Sequence, residues 1–303
     1  MLVVAALGGN ALIRRGESPD AESQRQNVRR AALALVDIAR NHHLVITHGN
    51  GPQIGLLALQ SAAMSDAAPT PLDLLGAETE GMIGYMIEQE LANFLPGREI
   101  ATLLTRVEVE LGDVAFEHPT KPIGACYSEA EARRMAAARG WAVARDGAYF
   151  RRVVPSPEPQ RILEQRTIEL LLAAGTIVVC AGGGGIPVAI GPGGGMRGVE
   201  AVIDKDLSAA LLAAALRADL LLLLTDVPGV FVNWPDPASD VIRRTTSSEL
   251  RRLSFAAGSM APKVEAACRF VEKTGGRAMI GALEDADRLL RDSSGTSVLP
   301  NCR

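Results

Sequence analysis

Leu2 to Leu7, Leu44 to Thr47, Ile177 to Ala181 and Leu220 to Leu224 are short β-type runs. Each is stopped by glycine or polar turn residues: Gly8-Gly9-Asn10, His48-Gly49-Asn50-Gly51, Gly182 to Gly185 and Thr225-Asp226. Between them apolar residues recur with helical spacing, over about Glu22 to Arg40, Asp73 to Phe94, Arg161 to Ala174, Leu207 to Leu216 and Pro262 to Lys273. Few folds accept that alternation. It predicts an α/β chain with a mainly parallel sheet, helices on both faces, and ligands beyond the carboxyl ends of the strands. Apolar residues make up 48% of the chain and aromatics only 4%, so the core must be Ala, Leu, Val and Ile, as when many helices cover a buried sheet.

The rhythm breaks once. From about Gly112 to Pro159 the chain carries KPIGACYSEAEARRMAAARG, with a capping-box pattern at Ser128 and Glu131, and then AYFRRVVPSPEP. This segment reads as an excursion from the main sheet, either a functional cover or an insert serving structure or dimer contact. A second irregular stretch, residues 231–240, reads as a surface loop after the fourth strand. With 303 residues the chain is long enough for one large or two medium domains.

A formal net charge of −4 with no long basic run argues against nucleic acid as the main partner, because binding a phosphate backbone needs clustered Lys and Arg. Cys126, Cys180, Cys268 and Cys302 lie far apart without a C-x-x-C pair, and only His42 and His43 are neighbouring histidines. Neither a disulfide framework nor a zinc site is expected, and the reducing cytoplasm is the natural compartment. The N-terminal apolar stretch has no basic region before it and is too short for a membrane helix, so it reads as a first strand rather than a signal peptide.

The stretch AGGGGIPVAIGPGGGMRG, residues 181–198, follows the third strand directly. Glycine costs conformational entropy on folding, so such density suits a backbone that takes unusual dihedrals or approaches something closely. Successive N–H groups at a strand end make a nest for phosphate or carboxylate. A flexible surface loop is the other use of such a stretch, and the glycines alone leave both open. The P-loop pattern G-x-x-x-x-G-K-[ST] is absent, so a phosphate site here needs another fold.

A triphosphate site also needs mobile cations, since phosphoryl transfer is accelerated by positioning and by neutralising the transferring group. Lys121, Lys205 and Lys263 stand out in a chain where arginine is the commoner base. Lys205 lies between Asp204 and Asp206 where an apolar helix begins; the acids either orient ammonium groups or form a solvated cap worth about 1 kcal/mol. Lys263 follows a proline at a helix start, where a cation opposes the helix dipole. Such a lysine is either simply exposed or in need of an anionic partner. Two further residues read plainly: His48 as a hydrogen-bonded loop residue rather than a base, and Cys180 as a small apolar filler at the end of a buried strand.

Ten ordered stretches between residues 6 and 296 carry a resemblance: ALGGNAL, ITHGNGPQIG, LGAETEGMIGYMIEQEL, TKPIG, RRVVPSPEP, AGGGGIPV, GVEAVIDKDLSAALLA, LLTDVPGV, GSMAPKVEAA and a closing GT. Together they resemble the carbamate kinases of the amino acid kinase fold family. The resemblance implies a three-layer α/β/α sandwich around a mainly parallel sheet, with a protruding lid subdomain at about 112–159. Residues 1–180 would form the carbamate and phosphoryl-acceptor lobe, and residues 181–303 the nucleotide-binding lobe. It implies phosphoryl transfer between ATP and carbamate, Mg2+ accompanying ATP or ADP, and a cytoplasmic homodimer with no membrane or nucleic-acid partner. Another acyl-phosphate kinase of the same fold, or a nucleotide-sensing regulator, are the alternatives.

Carried over by motif, Gly8, Gly9, Asn10, Gly49, Asn50 and Gly51 would hold carbamate and the transferring group through N–H groups and the Asn amides, with Asp204 on the substrate side. Gly182 to Gly185 would continue the cradle. Lys205 and Lys263 would contact phosphates, with Asp206 orienting them. Gly182, Gly183, Thr225, Asp226, Val227, Trp234, Met260 and Lys263 would line the nucleotide. Many relatives carry a lysine where this chain has Ala6, and Lys121 of the excursion would supply the missing cation. Two departures bear on packing: Ala125-Cys126 stands where the family has Pro-Phe, and Ala261 where it has glycine. An alanine there either keeps a normal dihedral or is strained by about 1 kcal/mol.

Overall fold

The computed structural model describes residues 1–9, 12, 20–63, 69–191, 193–232, 240–255 and 260–301. The first elements are β1 (Leu2–Leu7), α1 (Ala21–Asn41), β2 (His43–His48), α2 (Gly51–Ala63) and α3 (Leu72–Phe94). Two short strands, β3 (Ile100–Thr102) and β4 (Arg106–Val109), precede the excursion, which holds β5 (Lys121–Tyr127), α4 (Glu129–Arg139), β6 (Val143–Asp146) and β7 (Tyr149–Val154). Then come β8 (Pro159–Ile162), α5 (Gln165–Ala173), β9 (Ile177–Val179), β10 (Ile186–Ile190), β11 (Met196–Gly198), α6 (Lys205–Ala215) and β12 (Leu220–Thr225). The last are β13 (Arg244–Thr246), α7 (Ser247–Leu250), α8 (Met260–Thr274), β14 (Arg277–Ala282), α9 (Ala286–Leu290) and β15 (Thr296–Leu299).

The main sheet has eight strands in the order β13-β15-β14-β12-β1-β2-β9-β3. From β14 to β3 every neighbour is parallel, and β15 turns the far edge antiparallel. Alternate side chains of these strands sort into two cores. Val4, Ala6, Val45, Val178, Leu221 and Leu223 pack with α5, α6 and α8. Val3, Ala5, Leu7, Leu44, Ile46 and Leu222 pack with α1, α3 and α9. Strands buried on both faces explain their near-continuous apolar sequences, and the result is the expected three-layer α/β/α arrangement.

A four-stranded sheet, β11-β10-β4-β8, stands apart from the main one, and its short strands do not stand out in the sequence. Here the expected helix over Arg161 to Ala174 is shortened: Pro159–Ile162 pairs with β4 as an edge strand, and α5 starts only at Gln165. Helix α2 is an addition to the expected set. Its Gly51-Pro52 start is a fitting helix entry, because proline near the first turn gives up a donor that has no partner there anyway.

The excursion forms its own antiparallel sheet, β5-β7-β6, with α4 beside it. Ser128 and Glu131 close the expected capping box, and Gly140 ends the helix at φ 66°. An apolar cluster of Ile123 and Val154 with Ile54 and Ala58 of α2, Leu72 and Leu75 of α3, and Val202 ties this sheet to the body.

Candidate active site

Because β9, β2, β1 and β12 are parallel neighbours, their carboxyl ends gather the turns at residues 8–9, 49–51, 181–185 and 225–227 along one rim. Gly8 donates its N–H to the Leu224 carbonyl and Gly49 donates to that of Leu7, both at 3.0 Å, so these N–H groups continue the sheet ladder. The glycines here serve close approach. A Cβ on Gly49 would sit 3.0 Å from the Gly9 nitrogen and 3.2 Å from Cδ of Lys205.

The glycine-rich stretch divides in two. Antiparallel β10 and β11 form a hairpin, with open space around Gly193, Gly194 and Gly195 between them. Residues 181–185 are buried: Ala181, Gly183, Gly184 and Gly185 all have positive φ, of 50°, 67°, 98° and 88°. A Cβ on Gly182 would enter the His48 ring, one on Gly183 the Asn50 amide, and one on Gly184 the Ile203 carbonyl. Most donors of this turn are already used. The Ala181 N–H goes to Thr105 Oγ1, that of Gly182 to Glu80 Oε1, that of Gly184 to Ala181 and that of Gly185 to Gly182. Among the described residues, the N–H groups of Gly183, Gly51 and Gln53 are left without an acceptor, Pro52 having none and that of Ile54 going to the Asn50 carbonyl. These are the groups an anion would find, with the positive end of the α2 dipole behind it.

The predicted cations converge on two carboxylates. Lys205 Nζ donates to Asp206 Oδ1 at 2.5 Å, and Lys263 Nζ to Asp206 Oδ2 at 3.0 Å. Lys121 Nζ reaches from the small sheet to Asp204 Oδ2 at 2.5 Å. The other Asp204 oxygen caps α6, accepting from the N–H groups of Asp206 and Leu207. Burial works against the Asp206 charge, but the two ammonium groups outweigh it and hold the carboxylate far below its usual range. The lysines are not equivalent. Burial brings Lys205 down to about 8, with the charge of Lys263 adding to it and Asp206 opposing. At Lys263 the same burial is outweighed by Asp206, Asp204 and Asp226, and the ammonium is stabilised.

His48 is fully buried as the last residue of β2 rather than in the loop that the sequence suggests, and it is neutral at neutral pH. Burial lowers it to about 4, its Nδ1 faces the Gly49 carbonyl at 3.1 Å, and its Nε2 is unpaired. Asn50 uses its amide nitrogen on Thr79 Oγ1 at 2.9 Å. Thr225 ends β12 beside Gly8, Asp226 and Val227 follow it, and Met260 opens α8. Asn10 and Trp234 lie outside the described residues, as do Gly258 and Ser259. Ala261 sits within α8 with no positive φ, so it is unstrained. Ala125 and Cys126 are exposed at an irregularity of β5. Sequence reading passed over Thr79 and Glu80. Gly76, Glu80, Ile83, Ile87 and Leu91 form the buried stripe of α3, and an acid in such a stripe is the signal that marks the position.

The amino acid kinase family model matches residues 1–282. The carbamate kinase of Haemophilus influenzae is 53% identical over 299 residues, 98% of this chain and 96% of that protein. That of Rhizobium meliloti is 54% identical over 301 residues, 98% and 93% of the two chains. The structure of Giardia lamblia carbamate kinase bound to AMP-PNP aligns with a TM-score of 0.89 at 39% identity, covering 99% of this chain and 98% of that one. With residues 1–282 matched by the family model and near-complete alignment to relatives more than half identical, the chain belongs to the amino acid kinase family.

Proposed function

We propose that this chain is a carbamate kinase. It transfers a phosphoryl group between ATP and carbamate; in one direction carbamoyl phosphate and ADP give ATP and carbamate, which breaks down to ammonia and CO2. The observation that carries this reading is the convergence of Lys205 and Lys263 on Asp206, with Lys121 on Asp204, at the glycine-lined ends of parallel strands. Three ammonium groups held by two carboxylates are preorganised for charge that develops on a transferring phosphoryl group. Carbamate attacks through an oxygen that is already anionic, so no side chain has to remove a proton, which suits a neutral His48. The new P–O bond forms to carbamate as the bond to the ADP oxygen breaks.

Residues 1–180 supply the acceptor lobe and residues 181–303 the nucleotide lobe, with the small sheet carrying Lys121 as a lid. Thr225, Asp226, Val227 and Met260 line the nucleotide side. Magnesium accompanying the nucleotide would neutralise phosphate charge. Such an ion keeps several waters and takes one or two carboxylates. Asp226, close enough to Lys263 to act on its charge, is suited to that part. The same resemblance supports a cytoplasmic homodimer, and the net charge of −4 speaks against a nucleic-acid partner. Among the described residues no helix is long and apolar enough to cross a membrane.

The test is ATP formation from ADP and carbamoyl phosphate, beside acetylglutamyl and aspartyl phosphates, with the Lys121→Ala variant. Carbamoyl phosphate should be the preferred donor, and Lys121→Ala should lower turnover steeply while leaving ADP affinity almost unchanged. Preference for another acyl phosphate would give the site to a different kinase of the fold, and nucleotide binding without turnover to a regulator.

A further inference from the structure

Two adjacent residues of α3 hold the two glycine turns that face one another. Thr79 Oγ1 accepts from Asn50 Nδ2 at 2.9 Å and passes its own proton to the carbonyls of Leu75 or Gly76. Glu80 spans the other turn: Oε1 accepts from Gly182 N–H at 2.8 Å, and Oε2 from Thr105 N–H at 3.1 Å. Thr105 in turn holds the Ala181 N–H on its hydroxyl, at 2.9 Å. One carboxyl group therefore grips both chain segments that flank the left-handed Ala181.

An apolar side chain would complete the buried stripe of α3 at less cost, since Glu80 is 1% exposed. Among the described residues no cation offsets it. Burial raises its carboxyl to about 8, with the charge of Glu164 adding, while the hydrogen bonds from Thr105 and Gly182 oppose. Buried Cys180 and neutral His48, the titratable groups on the adjoining strands, bring no positive charge. An acid kept in such a place has work to do beyond packing.

We propose that Glu80 is a positioning residue for phosphoryl transfer: by engaging the Gly182 and Thr105 N–H groups it fixes the 181–185 turn so that the Gly183 N–H remains open to the transferring phosphoryl group. The effect on rate rests on the kinase reading above, whereas the effect on anion binding does not. Glutamine at position 80 keeps one acceptor and sets an N–H2 against the other donor, and aspartate keeps both acceptors but withdraws them by one methylene. Glu78, exposed on the same helix, provides the control.

The experiment uses the full chain labelled with 15N-glycine, titrated with inorganic phosphate, beside steady-state ATP formation, for the parent, Glu80→Gln, Glu80→Asp and Glu78→Gln. Phosphate should shift the Gly183 amide in the parent and in Glu78→Gln. Glu80→Gln should need at least tenfold more phosphate for the same shift and lose at least tenfold in kcat, with KM for ADP within twofold; Glu80→Asp should recover part of both. A parent that responds to phosphate but makes no ATP removes the kinase reading and leaves this one standing. An unmoved Gly183 amide, or a Glu80→Gln protein with parental kcat and phosphate response, overturns the proposal. Should neither Glu80 variant fold, Glu80 is a residue of folding and the proposal also falls.

Discussion

Gly55 of α2 lies against Gly124 of β5 so closely that a Cβ on Gly55 would overlap the Gly124 backbone, and Gly124 itself has φ 72°. The small sheet is seated on the body backbone to backbone, and this contact fixes where Lys121 hangs. Gly55→Ala should push the sheet away and draw Lys121 from Asp204. Overpacking of this kind costs about 1–3 kcal/mol, so we expect a lower melting temperature with at least a tenfold loss in turnover. Parental kinetics in a folded Gly55→Ala protein would show that the seat is not needed for chemistry.

Asp206 ion-pairs both buried ammonium groups, and its removal takes from each the carboxylate it touches. Breaking a buried charge pair typically costs about 3–5 kcal/mol. Asp206→Asn should therefore lose both stability and rate. Lys205→Ala and Lys263→Ala should each lower kcat about a hundredfold, the equivalent of roughly 3 kcal/mol in the transition state. Thermal melts run beside initial rates separate the two effects, and rates within threefold of the parent would contradict the assigned roles.

Lys205 must be charged to act on phosphate, and burial brings it down to about 8. The kcat/KM for carbamoyl phosphate should accordingly fall as pH rises through about 8, with the limb in kcat lying higher because bound phosphates hold the proton. In stability the sign is opposite. The folded value lies below the ordinary 10.5, so between about 8 and 10.5 the unfolded chain binds more protons and this group's contribution to stability rises with pH. A pH–rate profile of Lys205→Arg, whose guanidinium keeps its proton, should lack the limb.

Glu80 works in the reverse direction, since its folded value of about 8 lies above the ordinary 4.5. The folded state binds more protons between those values, so this contribution is complete below pH 4.5 and is lost as pH rises through about 8. Melting temperatures taken from pH 5 to 8.5 should decline less steeply in Glu80→Gln than in the parent. Equal slopes would mean that the carboxyl ionises alike in both states.

Ala6, where relatives of the fold carry a lysine, is fully buried between Thr47 and Leu223 and belongs to the core under α6 and α8. A lysine there would enter an apolar layer. Ala6→Lys should lower the melting temperature and fail to restore activity to Lys121→Ala. Recovered turnover in the double variant would show that a lysine can run along the sheet to the site.

What the sequence disclosed follows from how locally each feature is written. Strands buried on both faces are unbroken apolar runs, so β1, β2, β9 and β12 announced themselves, and Lys205, Asp206 and Lys263 stood in short motifs. The sheet of β4, β8, β10 and β11 did not, because three- to five-residue strands with exposed residues carry too little alternation. The glycines of 181–198 looked like one loop, since glycine records freedom of φ but not whether the space around it is full or empty. Glu80 was hidden for another reason. Its partners, Gly182 and Thr105, lie 102 and 25 residues away, so its meaning exists only once the helix is packed.

The placement of β1 between β2 and β12 also has a kinetic side. Val3 registers with Leu44 on one flank and with Leu220 on the other, and Asp219 caps the Leu2 N–H across 217 residues. During synthesis β1 emerges long before β12, so the growing chain carries an unpaired central strand edge until more than two hundred residues have followed. Pairing at such separation is slow to form, and an open edge in the meantime invites association between nascent chains. Folding of this sheet is therefore completed late, and a fragment ending before β12 should collect in aggregates rather than survive as an independent half.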